Sequence, residues 1–140
     1  MFFTGLSWVS IIIATIVAFL AGWLYYSPFL LGKVYAKETG KTPESITEDD
    51  KKGMFKGFAV VIVGEFIMSV VAASLVHSLF ITRFAQVFIL AFSVWVAFVV
   101  ATKLNDVLFG GRSWKYFAIT VGQDLLSILV IFTIVGLFNR

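Results

Sequence analysis

Four long apolar runs, almost free of charged side chains, constrain the fold of this chain more than any other feature. They cover approximately residues 6–28, 57–80, 84–104 and 114–138. A bilayer core is about 30 Å thick, and a helix needs roughly 20 residues to cross it, so each run is long enough. The composition agrees, because 60% of the 140 residues are hydrophobic and 14% are charged. A soluble domain has roughly 45–50% apolar and 25% charged residues.

The runs predict transmembrane helices rather than strands. Only helices and closed barrels satisfy their backbone in hydrocarbon, and barrel strands alternate apolar and polar residues over about ten positions. Segments such as residues 11–20, IIIATIVAFL, are apolar all round. We therefore expect an all-α membrane protein with one domain, residues 1–140. The expected architecture is a four-transmembrane-helix bundle with short turns and one longer cytoplasmic loop, residues 29–56, between helices 1 and 2.

The basic residues predict an orientation in the membrane. With four crossings, residues 33–56 and 110–115 share one side, and both termini share the other side with the turn around Arg83. The first side has eight of the 11 Lys and Arg residues, or nine with Lys103, and the second has Arg83 and Arg140. Because the positive-inside rule counts Lys and Arg, we expect both termini to be extracytoplasmic.

Two carboxylates lie inside the apolar runs and are the first candidates for a functional site. Glu65 and Asp124 are about 12 and 15 Å from the inner boundary at 1.5 Å per residue. Ionisable side chains at such depth are rare, and each is a functional-site candidate by default. Counting along the helices places three more polar side chains in the same layer. The candidate cluster is Glu65, Lys103, Asn105, Gln123 and Asp124.

This cluster has three interpretations. In the first, Lys103 pairs with Glu65 or Asp124, and the amides complete a buried network that fixes the helix register. In the second, one carboxyl group is protonated at neutral pH and exchanges a proton or binds a cation during transport. In the third, a charged residue of another subunit completes the pairing. We favour a structural or accessory membrane protein, with a small proton- or cation-coupled transporter as the alternative.

Three other polar residues are secondary candidates. His77 lies about 18 Å along the helix axis from Glu65 and about 120° around it, so the two do not form one metal site. Asp106 and Arg112 flank a glycine pair that predicts a tight turn, with a phosphate site there as the weaker interpretation. The chain has no cysteine and none of the common catalytic motifs. We expect no enzymatic activity, no metal and no cofactor.

Small residues spaced four apart predict helix-packing faces. The first helix has such a stripe at Ala14, Ala18 and Gly22, and the second continues from Glu65 through Ser69 and Ala73. The third has one at Ser93, Ala97, Ala101 and Asn105. We expect the lipid bilayer as the environment and a homo-oligomer or another membrane protein subunit as the partner. Nucleic acid is not expected, because the basic residues flank the spans.

The end of the first span carries a family resemblance. Residues 22–33, GWLYYSPFLLGK, resemble the W-Y-S-P-x-x-x-G-K signature of a bacterial membrane family, domain of unknown function 1761. Residues 99–135 are similar too, through Ala101-Thr102, Leu104-Asn105, Leu108-Phe109 with Gly111-Arg112, and Gly122 with residues 125–127. The resemblance implies four spans, the bacterial cytoplasmic membrane and no established activity. Family members often have Tyr-His at the positions of Gln123-Asp124.

Overall fold

The computed structural model describes residues 5–26 and 48–138, leaving out the side chains of residues 48–52 and 54. These residues form four helices: α1 (Trp8–Tyr25), α2 (Glu48–Ser78), α3 (Phe84–Leu108) and α4 (Trp114–Phe138). Each helix contains a stretch that is long and apolar enough to cross a membrane. The predicted all-α fold with four transmembrane helices is confirmed.

Two helices extend beyond the apolar runs that predicted them. α2 begins at Glu48 rather than at residue 57, and α3 ends at Leu108 rather than at residue 104. Hydropathy marks where a bilayer ends, whereas a helix continues through charged residues as long as its backbone hydrogen bonds are made. Residues 48–56, at the end of the predicted cytoplasmic loop, are therefore helical and lead into the second span. The rest of that loop, with Ser27 and Pro28 of the Tyr-Ser-Pro element before it, lies outside the described residues.

The core forms where α1, α2 and α4 pack against one another, while α3 packs mainly against α4. All of its members except Phe132 are small or β-branched, and small residues allow the close approach of helices in membranes. From α1 and α2 they include Ile11, Ala14, Ala18, Ala72, Ala73 and Val76, and from α4 they include Ile128, Ile131 and Val135. The small-residue faces predicted on the first two helices are thus packing faces of the bundle.

α3 is not a regular α-helix, because its segment Trp95–Val100 is π-helical. The amide of Ala101 donates to the carbonyl of Val96, five residues back. A π turn takes in about one residue more than an α turn, which rotates the following helix by about 100°. The small-residue stripe predicted on this helix faces away from the other helices of the chain. All four stripe residues are exposed: Ser93, Ala97, Ala101 and Asn105.

The π-helical segment also decides which way Lys103 faces. Ala91 is fully buried on the α3 face that packs against α4, and Lys103 follows it by twelve residues. In an uninterrupted α-helix the two side chains would differ in direction by about 120°, whereas one extra residue reduces this to about 20°. The local unwinding therefore turns Lys103 toward α4.

Candidate functional site

The middle of α4, residues 119–127, makes polar contacts with each of the other three helices, and we call it the polar segment of α4. Two of these contacts use backbone carbonyls. The hydroxyl of Tyr25 on α1 donates to the carbonyl of Ile119 at 2.7 Å. The indole Nε1 of Trp95 on α3 donates to the carbonyl of Val121, also at 2.7 Å. Both aromatic side chains thereby satisfy a polar group that hydrocarbon would leave unpaired.

Glycines allow the close approach of α1 to this segment. A Cβ at Gly122 would lie 2.8 Å from the hydroxyl oxygen of Tyr25, and one at Gly22 would lie 3.1 Å from Nε2 of Gln123. The first distance is shorter than real Cβ contacts allow. A side chain at Gly122 would therefore displace Tyr25 from the carbonyl of Ile119.

Asp124, in the polar segment of α4, forms an ion pair with Lys103 of α3. Their side chains are 23% and 34% exposed, respectively, so the pair lies at the edge of the bundle rather than in its core. Of the two partners that the sequence allowed for Lys103, Asp124 is the one it contacts. Glu65, the other, is on α2, across the bundle from α3.

Glu65 is enclosed by its own chain, with 6% of its surface exposed. Its Oε1 accepts a hydrogen bond from the hydroxyl of Ser127 on α4 at 3.2 Å. The same hydroxyl accepts from Nε2 of Gln123 at 2.8 Å. Gln123 and Ser127, one turn apart on α4, thus form a chain of hydrogen bonds that ends at the carboxyl group of Glu65 on α2.

Hydroxyl groups line the next turn beside this carboxyl group. Ser69 donates to the backbone carbonyl of Glu65 at 2.8 Å. The Oγ1 of Thr15 on α1 lies 3.3 Å from Oγ of Ser69 and 2.8 Å from the carbonyl of Ile11. We call the polar segment of α4 and the side chains linked to it, directly or through Glu65 and Ser69, the polar layer: Thr15, Tyr25, Glu65, Ser69, Trp95 and Lys103. This layer continues from α4 through α2 to α1.

The second carboxyl oxygen of Glu65 is the least satisfied polar atom of the layer. Oε2 is buried, and it has no hydrogen-bond partner within the described residues. A buried acceptor without a partner costs about 1–3 kcal/mol. Such atoms are uncommon in native proteins and are associated with strain, with function, or with a bound water or ion.

The remaining candidates lie away from this layer. His77 packs against the chain at Gly5, where a Cβ would lie 2.9 Å from Nε2 of the imidazole. Asn105 is exposed near the end of α3. The carbonyl of Asp106 accepts from the Arg112 amide at 3.1 Å, which closes the predicted tight turn. The guanidinium group of Arg112 lies 4.8 Å from the ring centre of Tyr116.

Sequence reasoning overlooked three contributors to the polar layer, namely Tyr25, Trp95 and Thr15. Tyr25 follows Trp23 at the end of a span, a pattern typical of interfacial anchors. Threonines in membrane helices usually bond their own backbone, as Thr15 also does. Only the position of Gly22 and Gly122, which permits close approach, would have suggested the contact between α1 and α4.

Comparison with known proteins identifies one family. The family model described as "Protein of unknown function (DUF1761)" matches residues 9–136. This match includes all of the polar layer and most of the four helices. No curated protein and no solved structure matches the chain.

Proposed function

Because this chain belongs to the family described as "Protein of unknown function (DUF1761)", we propose a function from its geometry alone. We propose that it is a structural or accessory integral membrane protein, whose polar layer holds the four helices in one register. The observation that carries this proposal is the convergence of α1, α2 and α3 on the polar segment of α4.

The arrangement of these contacts supports a structural role. Apolar side chains do not distinguish a neighbouring helix from lipid, whereas a hydrogen bond or ion pair in hydrocarbon requires a particular partner. The ion pair joins α3 to α4, and the bond from Ser127 to Glu65 joins α2 to α4. Sliding either helix by one residue would leave these polar groups unpaired.

A proton- or cation-coupled transporter is the second candidate, and Oε2 of Glu65 is the observation that favours it. A carboxyl group near the middle of a span, with one oxygen unpaired, has the capacity to exchange a proton or hold a cation. Since Lys103 pairs with Asp124, Glu65 rather than Asp124 is the residue that we assign to this role.

We further propose that the protein resides in the bacterial cytoplasmic membrane with both termini extracytoplasmic. Most Lys and Arg residues lie at the end of the bundle where α1 connects to α2 and α3 connects to α4. This excess supports the orientation. Since the chain has no cysteine, single-cysteine variants test it directly. An impermeant maleimide added to intact cells should label Thr82→Cys, in the exposed turn before α3, but not Lys115→Cys. The reverse labelling would contradict the orientation.

The substitutions Glu65→Gln and Asp124→Asn separate the two candidate functions. If the layer is structural, each variant lowers the thermal stability of the purified protein, by about 1–3 kcal/mol for loss of a buried partner. If the layer serves transport, Glu65→Gln keeps its stability but loses pH-dependent ion flux in proteoliposomes. Variants that retain both stability and flux would contradict both candidates.

A further inference from the structure

The carboxyl group of Glu65 is incompletely satisfied in either protonation state. It receives one hydrogen bond, from Ser127 to Oε1, although an ionised carboxylate has about four acceptor positions. A proton on Oε2 would need an acceptor, and none is in reach among the described residues. A further polar species beside Oε2 would satisfy the group in its ionised form.

The charges of the bundle indicate which kind of species this is. Lys103 is engaged with Asp124, and the other Lys and Arg side chains that the structure describes lie near the ends of the membrane-spanning stretches: Lys56, Arg83, Arg112 and Lys115. An ionised Glu65 is therefore an uncompensated single negative charge near the middle of its span. Desolvating such a charge is unfavourable by several kcal/mol unless a counter-charge accompanies it. One positive charge restores neutrality.

The side chains around Glu65 indicate which class of cation the site would bind. The polar side chains of the layer next to Glu65 are the hydroxyl groups of Thr15, Ser69 and Ser127 and the amide of Gln123. Oxygen ligands suit hard cations rather than transition metals. Within the part of the chain that the structure describes, no three His, Cys, Asp or Glu residues are grouped to hold a metal ion. Asp124 is close enough for its charge to act on Glu65, but it is neutralised by Lys103. The single net negative charge among neutral oxygens matches a monovalent cation.

We propose that Glu65 and Ser127 form the core of a binding site for a monovalent cation of the Na⁺ class, between α2 and α4. Oε2 of Glu65 supplies the charged ligand, and Oγ of Ser127, 3.2 Å from Oε1, supplies the neighbouring neutral oxygen. The cation links the two helices by bridging these side chains. This cation site is independent of both candidate functions. It requires neither ion transport by the protein nor a structural role for the other contacts of the polar layer.

The test is thermal unfolding of the purified full-length chain in detergent, with NaCl exchanged for N-methyl-D-glucamine chloride at constant ionic strength. A ligand that binds only the folded state raises the unfolding temperature in proportion to the logarithm of its concentration above Kd. We expect Na⁺ to raise it by several degrees. The increase should be absent in Glu65→Gln and should require at least tenfold more Na⁺ in Ser127→Ala. Ser74→Ala is the matched control, because within the described part of the chain that hydroxyl bonds only the Val70 carbonyl of its own helix, and it should respond as the parent does.

The outcomes distinguish this site from the structural proposal. Equal stability of the parent in both salts would overturn the cation site, as would a Na⁺ response that survives in Glu65→Gln. If the unsubstituted protein does not respond to Na⁺ and Glu65→Gln is destabilised equally in both salts, the cation site is overturned and the structural proposal is supported. If Glu65→Gln does not fold, Glu65→Asp retains the charge and shortens the side chain by one methylene. It should then need at least tenfold more Na⁺ for the same increase, and an unchanged requirement would overturn the site.

Discussion

Lys103 and Asp124 form an ion pair between α3 and α4, which leaves Glu65 on α2 without a cationic partner among the described residues. The two carboxyl groups that interrupt the apolar runs therefore differ in chemical situation. Asp124 is compensated and lies at the edge of the bundle, whereas Glu65 is uncompensated and buried. Substitutions at the two positions should accordingly have different consequences.

Reversal of the charges tests whether the ion pair stabilises the bundle. Lys103→Asp and Asp124→Lys alone should each lower the free energy of unfolding by about 1–3 kcal/mol, which is less than for a fully buried pair because both side chains are partly exposed. The double variant, with the charges exchanged, should recover at least half of that loss. Thermal unfolding in detergent measures all three. A double variant as unstable as the sum of its singles would show that the pair contributes nothing.

Deletion of one residue from the π-helical segment should break the same ion pair without altering either charge. Removing Phe98, which is exposed, restores an α-helical register and rotates Lys103 by about 100° away from α4. The deletion should lower the unfolding temperature by about as much as Lys103→Met. Adding Lys103→Met to the deletion should then have little further effect.

Phe98→Ala is the matched control for this deletion, because it removes the side chain and keeps the register. It should unfold at nearly the parent temperature. If Lys103→Met destabilises the deletion variant as much as it destabilises the parent, the π-helical segment does not position Lys103.

Hydropathy was sufficient to predict the four spans, since each is an uninterrupted apolar run of the length that a bilayer requires. It was not sufficient to predict which residue pairs with Lys103. An α-helical projection places Lys103 about 120° from Ala91, and the π-helical segment that corrects this angle consists of residues, WVAFVV, that are equally suited to an α-helix. The segment begins at Trp95, whose indole donates to the Val121 carbonyl, and that contact is not local in sequence.

The partner of Glu65 on α4 was likewise not predictable from hydropathy. The depth of Glu65 and its shared face with Ser69 followed from counting, because both are properties of one helix. Its contact with Ser127, 62 residues further along the chain, depends on the rotation of α2 against α4. Sequence periodicity constrains that rotation only weakly here, since both helices are apolar on nearly all sides.

The close approach of α1 to α4 predicts a coupling between Gly122 and Tyr25. In the parent, Gly122→Ala should displace the Tyr25 hydroxyl, since the new Cβ would lie 2.8 Å from it, and the bond to the Ile119 carbonyl would be lost. In the Tyr25→Phe background that oxygen is absent, and the same substitution should be neutral or stabilising by up to about 1 kcal/mol from helix propensity. A double-mutant cycle should therefore give a coupling energy of about 1 kcal/mol or more.

Gly64→Ala is the matched control for this cycle, because a Cβ there meets no atom within 4 Å. It should stabilise the protein slightly in both backgrounds, with no coupling to Tyr25. Additive effects of Gly122→Ala and Tyr25→Phe would contradict the close approach.

Ser127 and Ser74 are both buried serines, and they should respond differently to replacement by alanine. Ser127 donates to Glu65 and accepts from Gln123, so Ser127→Ala leaves the carboxyl group with no described donor and should lower the free energy of unfolding by about 1–3 kcal/mol. Among the described residues, Ser74 bonds only the carbonyl of Val70, which its helix already satisfies, and Ser74→Ala should change stability by less than about 0.5 kcal/mol. Adding Glu65→Gln to Ser127→Ala should destabilise the protein less than Glu65→Gln does in the parent, because the two residues share one interaction. Equal losses for the two serine variants would mean that the bond between α2 and α4 has no particular role in holding the bundle together.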